Sequence, residues 1–439
     1  MTITDEMKKA IELIATTNEC VYITGKAGTG KTTFLKKLPS FCEKRIVVTA
    51  STGIAAINAG GVTLHSLLNI PFGVHDPNAT IQHGIIPTKY ELINSIDVLV
   101  IDEISMVRPD TIDYADQKLR LYRHSEEPFG GVQIVMFGDL YQLPPVVTAN
   151  ERDVLLQFYS GPYFFHSKAL RKCGFHIIEL NQIFRQTDSR FIEILNNIRS
   201  YRLTQDDIDD LSELRNRMES NNYDNKRIHI CSYRKDVQRI NEELLGMPTH
   251  IYDAILEKDF NPNSAPCDMK LSLRVGARVM MLINDPFQIY CNGSLGVVVS
   301  LNNKTVIVKL DNGCTVAVER HEWSVKEYKV IDGKITSETK GTCTQFPLTL
   351  AWAITIHKSQ GLTFDSVVIH AKEVFCPGQI YVALSRCTSL QSIVSDVFID
   401  KKHILPDNEL LVFEKSYKNA GYYFNQETYK SIKHESTEN

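Results

Sequence analysis

The sequence predicts an α/β protein built on parallel sheets that are covered on both faces by helices. Three observations predict it. Short apolar runs rich in Val and Ile recur at 20–24, 45–49, 97–101 and 132–137. Each is followed by a Gly-rich or acidic loop, and helical stretches separate them. The runs are continuously apolar rather than alternating, the pattern of strands buried on both sides.

The whole chain sets the frame. Its 439 residues suffice for two or three domains. With 43% hydrophobic and 23% charged residues the composition is that of a globular protein able to bury sizeable cores. No apolar run is long enough to span a bilayer, so no membrane partner is expected. The mixed, acidic N-terminus reads as neither a signal peptide nor a transit peptide. The ten cysteines contain no C-x-x-C pair and no zinc spacing, the usage of reduced thiols in a cytosolic protein. These ends and thiols suggest a bacterial or phage cytoplasm. A net charge of −4 does not advertise a nucleic-acid partner, but a local basic channel is invisible to a sum over the chain.

The second half repeats the strand–helix logic less regularly. A strand is expected at 227–232, a helix at 234–245 and another strand at 366–370. Between them, short strands at 296–300, 304–310 and 314–319 surround the hairpin turn Asp311-Asn312-Gly313. That texture suggests a small β-barrel inserted into a second α/β domain. The polar stretch after Glu427 is expected to fray.

The segment Gly25-Lys26-Ala27-Gly28-Thr29-Gly30-Lys31-Thr32 fits G-x-x-x-x-G-K-[ST], following a strand and opening a helix. Its glycines allow backbone N–H groups to curl round phosphate oxygens, and the helix N-terminus adds positive charge. Lys31 would place a cation on the β- and γ-phosphates, and the Thr32 hydroxyl would ligate Mg2+. The run Val98-Leu99-Val100-Ile101-Asp102-Glu103 ends a strand in two carboxylates. Asp102 suits a direct or water-mediated magnesium contact, and Glu103 suits the base that orients water on the γ-phosphate. No N-K-x-D guanine reader is visible, which favours ATP. Hydrolysis also needs an outside positive charge. Arg185 and Arg386 stand out by context, although from the residues alone each is one arginine among many.

The order of segments resembles a superfamily 1B helicase, and the wording resembles the Pif-one family. Thr49-Ala50-Ser51-Thr52-Gly53 with Gly60-Gly61-Val62-Thr63-Leu64-His65-Ser66 is similar to its strand-contacting motif. Asp102 to Val107, Pro128-Phe129-Gly130-Gly131-Val132-Gln133, Gly138-Asp139-Leu140-Tyr141-Gln142-Leu143-Pro144-Pro145 and Phe184-Arg185-Gln186 follow in the family's order. So do Leu350-Ala351-Trp352-Ala353-Ile354-Thr355-Ile356-His357-Lys358-Ser359-Gln360-Gly361 and Tyr381-Val382-Ala383-Leu384-Ser385-Arg386. The resemblance runs from about residue 3 to residue 400.

The resemblance implies two RecA-like P-loop domains with parallel sheets and an SH3-like β-barrel in the second. Its boundaries are 1–63 with 92–180 for domain 1A, 64–91 for a small insertion 1B, 181–293 with 347–430 for domain 2A, 294–346 for insertion 2B, and a polar tail at 431–439. ATP would lie in the cleft and single-stranded DNA across the top. Arg185 and Arg386 become the arginine fingers and Gln142 the γ-phosphate sensor, with Gly28, Thr29, Gly30, Thr33 and Gly361 around the nucleotide. Thr63, His65 and Ser66 in the first domain, and His357, Lys358 and Ser359 in the second, are the expected DNA contacts. One departure stands out: Met7 occupies the place of the adenine-reading glutamine, and a thioether can pack on a purine but cannot read its edge. The loop Asn69-Ile70-Pro71-Phe72-Gly73 offers an apolar tip, and Phe72 is the candidate wedge, with a plain loop equally compatible.

The activity implied is ATP-driven 5′-to-3′ unwinding of forked duplexes, G-quadruplexes and RNA–DNA hybrids in replication and repair, by a monomer. A phage-type or recombination helicase, an RNA helicase and a nucleotide-gated clamp are the competing readings.

Overall fold

The computed structural model describes residues 3–437 except 72, 80, 82–84, 187, 220–226, 259, 261, 263–264, 266, 284, 286, 288, 291–292 and 332–333. The chain divides into two compact units, Met1–Asn222 with Ser359–Asn439, and Tyr223–Lys358.

In the first unit the apolar runs become β1 (Val21–Gly25), β2 (Ile46–Ala50), β3 (Val62–Thr63), β4 (Val98–Asp102), β5 (Gln133–Gly138) and β6 (Phe175–Leu180). They lie in the order β6-β1-β5-β4-β2-β3, with every neighbouring pair parallel. Alternate residues of each strand enter opposite cores. Val21, Ile23, Val98, Val100, Val135 and Phe137 pack on one face, and Tyr22, Leu99, Ile101, Ile134 and Met136 on the other. This is why the strands read as continuous apolar runs.

The second unit holds a parallel pair, β7 (Ile228–Cys231) with β18 (Ala353–Thr355), on which the helix Arg234–Leu245 packs through Ile240. Between them in sequence lie β8 (His250–Asp253), β9 (Ile255–Lys258), β10 (Lys270–Leu273), β11 (Arg278–Met281), β12 (Leu295–Leu301), β13 (Val306–Leu310), β14 (Thr315–Val318), β15 (His321–Ile331), β16 (Lys334–Gln345) and β17 (Leu348–Leu350). The expected small strands form an antiparallel sheet, β14-β13-β12-β11-β17, with β14 and β17 at its edges. Val279, Val298, Val306, Val308, Val316 and Val318 fill one face in alternation. β15 and β16 form a long hairpin joined by β9 in a separate sheet, and β8 pairs with β10.

The chain then returns to the first unit with the parallel pair β19 (Val367–His370) and β20 (Ile393–Ser395), and with β21 (Tyr423–Phe424), antiparallel on the β6 edge. The stretch after Glu427 does not fray but forms the helix Gln426–Thr437. Tyr429 and Ile432, three residues apart, are buried on one side of it. The Tyr429 ring packs near Phe165 and Phe424, with the Arg171 guanidinium 5.5 Å from its centroid.

Candidate nucleotide site

Parallel strands bring their carboxyl ends to one edge. Register sets Thr24 beside Gly138, Gly25 beside Leu180 and Ala50 beside Asp102. The loops that leave this edge carry the chemistry, as expected for an open α/β sheet.

The phosphate loop runs from β1 into the helix Lys31–Lys37. Gly28 has φ +82, and a Cβ there would stand 2.5 Å from Gln186 Oε1 and 2.7 Å from Arg185 Cβ, so only glycine fits. The Thr29 hydroxyl donates to the Lys26 carbonyl at 2.9 Å, closing the loop on itself. Lys31 Nζ donates to the carbonyls of Gly25 at 2.6 Å and Lys26 at 3.1 Å. Thr32 and Thr33 are exposed, and Gly361 takes φ +79.

Opposite the loop, β4 ends in buried Asp102. Glu103 is in the left-handed region at φ 50, ψ 48, and its N–H donates to Asp102 Oδ1 at 2.9 Å. A non-glycine residue there costs of order 1–3 kcal/mol and persists where the surroundings hold it. The holder is Gln360, whose Nε2 donates to Glu103 Oε2 at 2.9 Å and to Gln142 Oε1 at 3.3 Å. Arg185 NH1 donates to the Ser385 carbonyl at 3.2 Å. Arg386 is buried and fully engaged: Nε on Val382 O at 2.7 Å, NH1 on Ser359 O and Leu362 O, and NH2 on Ser385 Oγ at 2.7 Å.

Electrostatics sort these groups into two sets. Burial lowers the pKa of Lys31 and of Arg185, and it pushes Arg386 down to about 10, with the Arg185 guanidinium adding repulsion. The carboxylates of Glu103, Asp102 and Asp139 offset this only in part, and a polyphosphate would supply the missing anionic charge. Burial raises Asp102 to about 7, helped by the Glu103 carboxylate, so the acidic side is short of positive charge. Hard oxygen donors in such a place suit a magnesium ion.

The remaining expected residues distribute as follows. Met7 is fully buried on the helix Asp5–Thr16, packed in the core with Ala10, Ile14 and Phe34. Just before it, Ile3, Thr4, Asp5 and Glu6 line an open depression of about 560 Å³ with Asn181 and Gln182. Thr63 caps the helix Leu64–Leu68, its hydroxyl accepting from Ser66 N at 3.1 Å. His65 is half-buried and Ser66 exposed. In the second unit His357 is half-buried and Lys358 exposed, whereas Ser359, in the first unit, is fully buried. Phe72 lies outside the described residues. The sequence motifs assign no role to Gln360 or to the buried Gln186. Nothing local marked Gln360, because its partners Glu103 and Gln142 are far away in sequence.

An edge of this build defines a P-loop nucleotide-binding protein of RecA-like α/β type. Comparison narrows the class. Residues 2–209 match the family model of the PIF1-like helicase. The chain is 36% identical over 416 residues to the ATP-dependent DNA helicase PIF1 of Danio rerio, covering 90% of this chain and 61% of that relative. It thus spans about three fifths of the length of that relative. Solved structures match over nearly its whole length, among them two of Pif1 helicases. A Bacteroides Pif1 helicase in complex with ADP-AlF3 and ssDNA is 53% identical with a TM-score of 0.88, covering 97% of this chain and 100% of that one. A structure of two coordinating Pif1 helicases at forked dsDNA is 52% identical with a TM-score of 0.86, again covering 97% and 100%. The chain belongs to the PIF1-like helicase family.

Proposed function

We propose that the chain is an ATP-dependent DNA helicase that moves 5′ to 3′ on single-stranded DNA and opens forked duplexes. The observation that carries this reading is the convergence of Lys31, Glu103, Gln142, Gln360, Arg185 and Arg386 on one sheet edge. Lys31 and the loop amides hold the β- and γ-phosphates, with Gly28, Thr29, Gly30, Thr33 and Gly361 shaping the approach. Glu103 orients the attacking water and takes its proton. Gln142 addresses the γ-phosphate, and Arg185 and Arg386 stabilise charge in the transition state. The Thr32 hydroxyl and Asp102 would hold a magnesium ion, which would supply positive charge to the phosphates.

Family membership supports further parts of the reading. They are the division into domains 1A, 1B, 2A and 2B, an SH3-like character for the antiparallel sheet, and adenine binding at the depression of Ile3, Thr4, Asp5 and Glu6, since the buried Met7 has no surface for a purine. DNA gripping by Thr63, His65, Ser66, His357, Lys358 and Ser359 belongs with them. So do G-quadruplex and RNA–DNA hybrid substrates, and a cytoplasmic place in a bacterium or an infected cell. A monomer is the default, and the forked-DNA structure of two coordinating Pif1 helicases makes two copies on one fork the alternative to test.

The test is strand separation on partial duplexes carrying a 5′ or a 3′ tail, with ATP and magnesium, beside Lys31→Ala. Unwinding only from the 5′ tail, lost in the variant, is the expected result. Unwinding only from the 3′ tail breaks the direction, and robust DNA-stimulated turnover without unwinding reduces the protein to a translocase or clamp. Phe72→Ala should lower unwinding while sparing DNA-stimulated turnover; equal loss of both removes the wedge.

A further inference from the structure

Behind the phosphate loop runs a line of buried polar groups that hydrolysis, as described above, does not use. Its centre is Tyr381, buried on the helix Gln379–Leu384. The Tyr381 hydroxyl accepts from Ala27 N of the phosphate loop at 2.7 Å and donates to Asp139 Oδ2 at 3.2 Å. Asp139 is fully buried, and its other oxygen accepts from Tyr141 N at 3.1 Å and from Arg199 Nε and NH2 at 3.3 Å each. Arg199 in turn lies over the Tyr141 ring, 4.2 Å from its centroid, and the Tyr141 hydroxyl donates to Glu414.

This line crosses the segment that carries Gln142. Gln142 N donates to the Asp139 carbonyl at 2.9 Å. The Tyr381 helix also presses on Gln142 directly: a Cβ on its N-cap Gly378, which has φ +78, would stand 2.2 Å from the Gln142 carbonyl oxygen. One short helix therefore touches the phosphate loop through a hydroxyl and Gln142, the proposed γ-phosphate sensor, through its backbone. Arg386 follows on the same stretch, its Nε on the Val382 carbonyl.

We propose that Tyr381 is a positioning residue for ATP hydrolysis. Its hydroxyl fixes the phosphate loop at Ala27 to Asp139, so that Lys31 and Gln142 address a single γ-phosphate geometry. The proposal rests on the reading of the site as an ATPase. A phenol hydroxyl has one proton to donate and lone pairs to accept, and here both roles are filled by groups on the two segments to be aligned. Loss of the hydroxyl leaves the Ala27 N–H without its acceptor and frees the loop by a fraction of an ångström, a displacement to which a near-attack geometry is sensitive.

The experiment compares the parent with Tyr381→Phe, which keeps the buried ring. Steady-state ATP turnover is measured at saturating single-stranded DNA, together with ADP affinity and melting temperature. The expected result is a fall in kcat of about tenfold, the order set by one orphaned buried hydrogen bond, with KM and ADP affinity held within about twofold. Gln142→Ala should cost less in the Tyr381→Phe background than in the parent, because both substitutions act on one alignment. Unchanged kcat, strict additivity with Gln142→Ala, or a loss confined to KM and ADP affinity would each overturn the proposal. A parent that hydrolyses no ATP overturns the ATPase reading and this proposal with it. An active parent matched by its Phe variant overturns this proposal alone.

Discussion

Around the phosphate loop nearly every functional group is already held by another. Glu103 and Gln142 share the Gln360 amide, Arg386 is spread over the Val382, Ser359 and Leu362 carbonyls, and Ala27 is tied to Tyr381. The segments expected to touch DNA are built differently. Ser66 and Lys358 are exposed, and His65 and His357 are half-buried. Burial lowers the pKa of both histidines, with the neighbouring charges of His75 and Arg108 adding to it at His65 and that of Arg234 at His357. Both are therefore neutral near pH 7, able to hydrogen-bond a backbone without gripping it by charge. The contrast is between preorganisation where a transition state would be met and weak contact where, on the proposed function, a strand would be released.

The largest effect that would break this contrast belongs to Arg386. If it acts on the transition state, Arg386→Ala should lower DNA-stimulated kcat by about 10³-fold, the scale of a lost arginine finger. It should also lower the melting temperature, since the carbonyls it satisfies lose their donor. Turnover within tenfold of the parent, with a depressed melting temperature, would make Arg386 a structural clasp and leave Arg185 as the finger. Gln360→Ala should come next. It leaves Lys31 and the phosphate loop in place but releases Glu103 and Gln142, so kcat should fall by roughly ten- to a hundredfold, less than the roughly 10²–10⁴-fold that an acid–base group itself contributes, with ADP affinity preserved. A matching loss of ADP affinity would show that Gln360 supports the loop rather than the water.

Proton linkage gives a third. Asp102 sits at about 7 because burial and Glu103 disfavour its charge. Below that pH it is protonated, and a cation must displace the proton to use the carboxylate. Apparent magnesium affinity in ATP turnover should therefore fall about tenfold per pH unit below 7 and level off above it. Magnesium titrations at pH 6 and pH 8 that coincide would remove Asp102 from the ion's ligands.

The same contrast separates what was legible in the sequence from what was not. The phosphate loop and the β4 carboxylates are written in consecutive residues, because a strand, a tight turn and a helix N-terminus are local objects. β1, β2, β4 and β5 begin within a residue of their apolar runs for the same reason. The partners of Gln360 lie 257 and 218 residues away, and Tyr381 meets Ala27 across 354. Such contacts are set by strand order and leave no local trace. The long β15–β16 hairpin was not read, since 321–345 mixes Lys, Glu, Ser and Thr without a clean apolar face. The C-terminal helix was misread as tail because two buried residues, Tyr429 and Ile432, hold it among polar neighbours.

The smallest effect sharpens the comparison most on the DNA side. Of the expected contacts only Lys358 is a lysine, exposed although partial burial lowers its pKa, whereas His65 and His357 are neutral. Charge neutralisation and neutral hydrogen bonding differ in salt dependence, not merely in strength. Lys358→Ala should reduce the slope of log affinity for single-stranded DNA against log salt by about 0.7, the release expected per phosphate on a single strand. His65→Ala should weaken binding several-fold, the order of one neutral hydrogen bond, at every salt concentration and leave the slope alone. Fluorescence anisotropy on a short labelled oligonucleotide across a salt series reads both. Parallel lines for the parent and Lys358→Ala would place that lysine off the strand. A changed slope for His65→Ala would mean that the histidine is charged when bound, and the weak-grip half of the contrast would have to be given up.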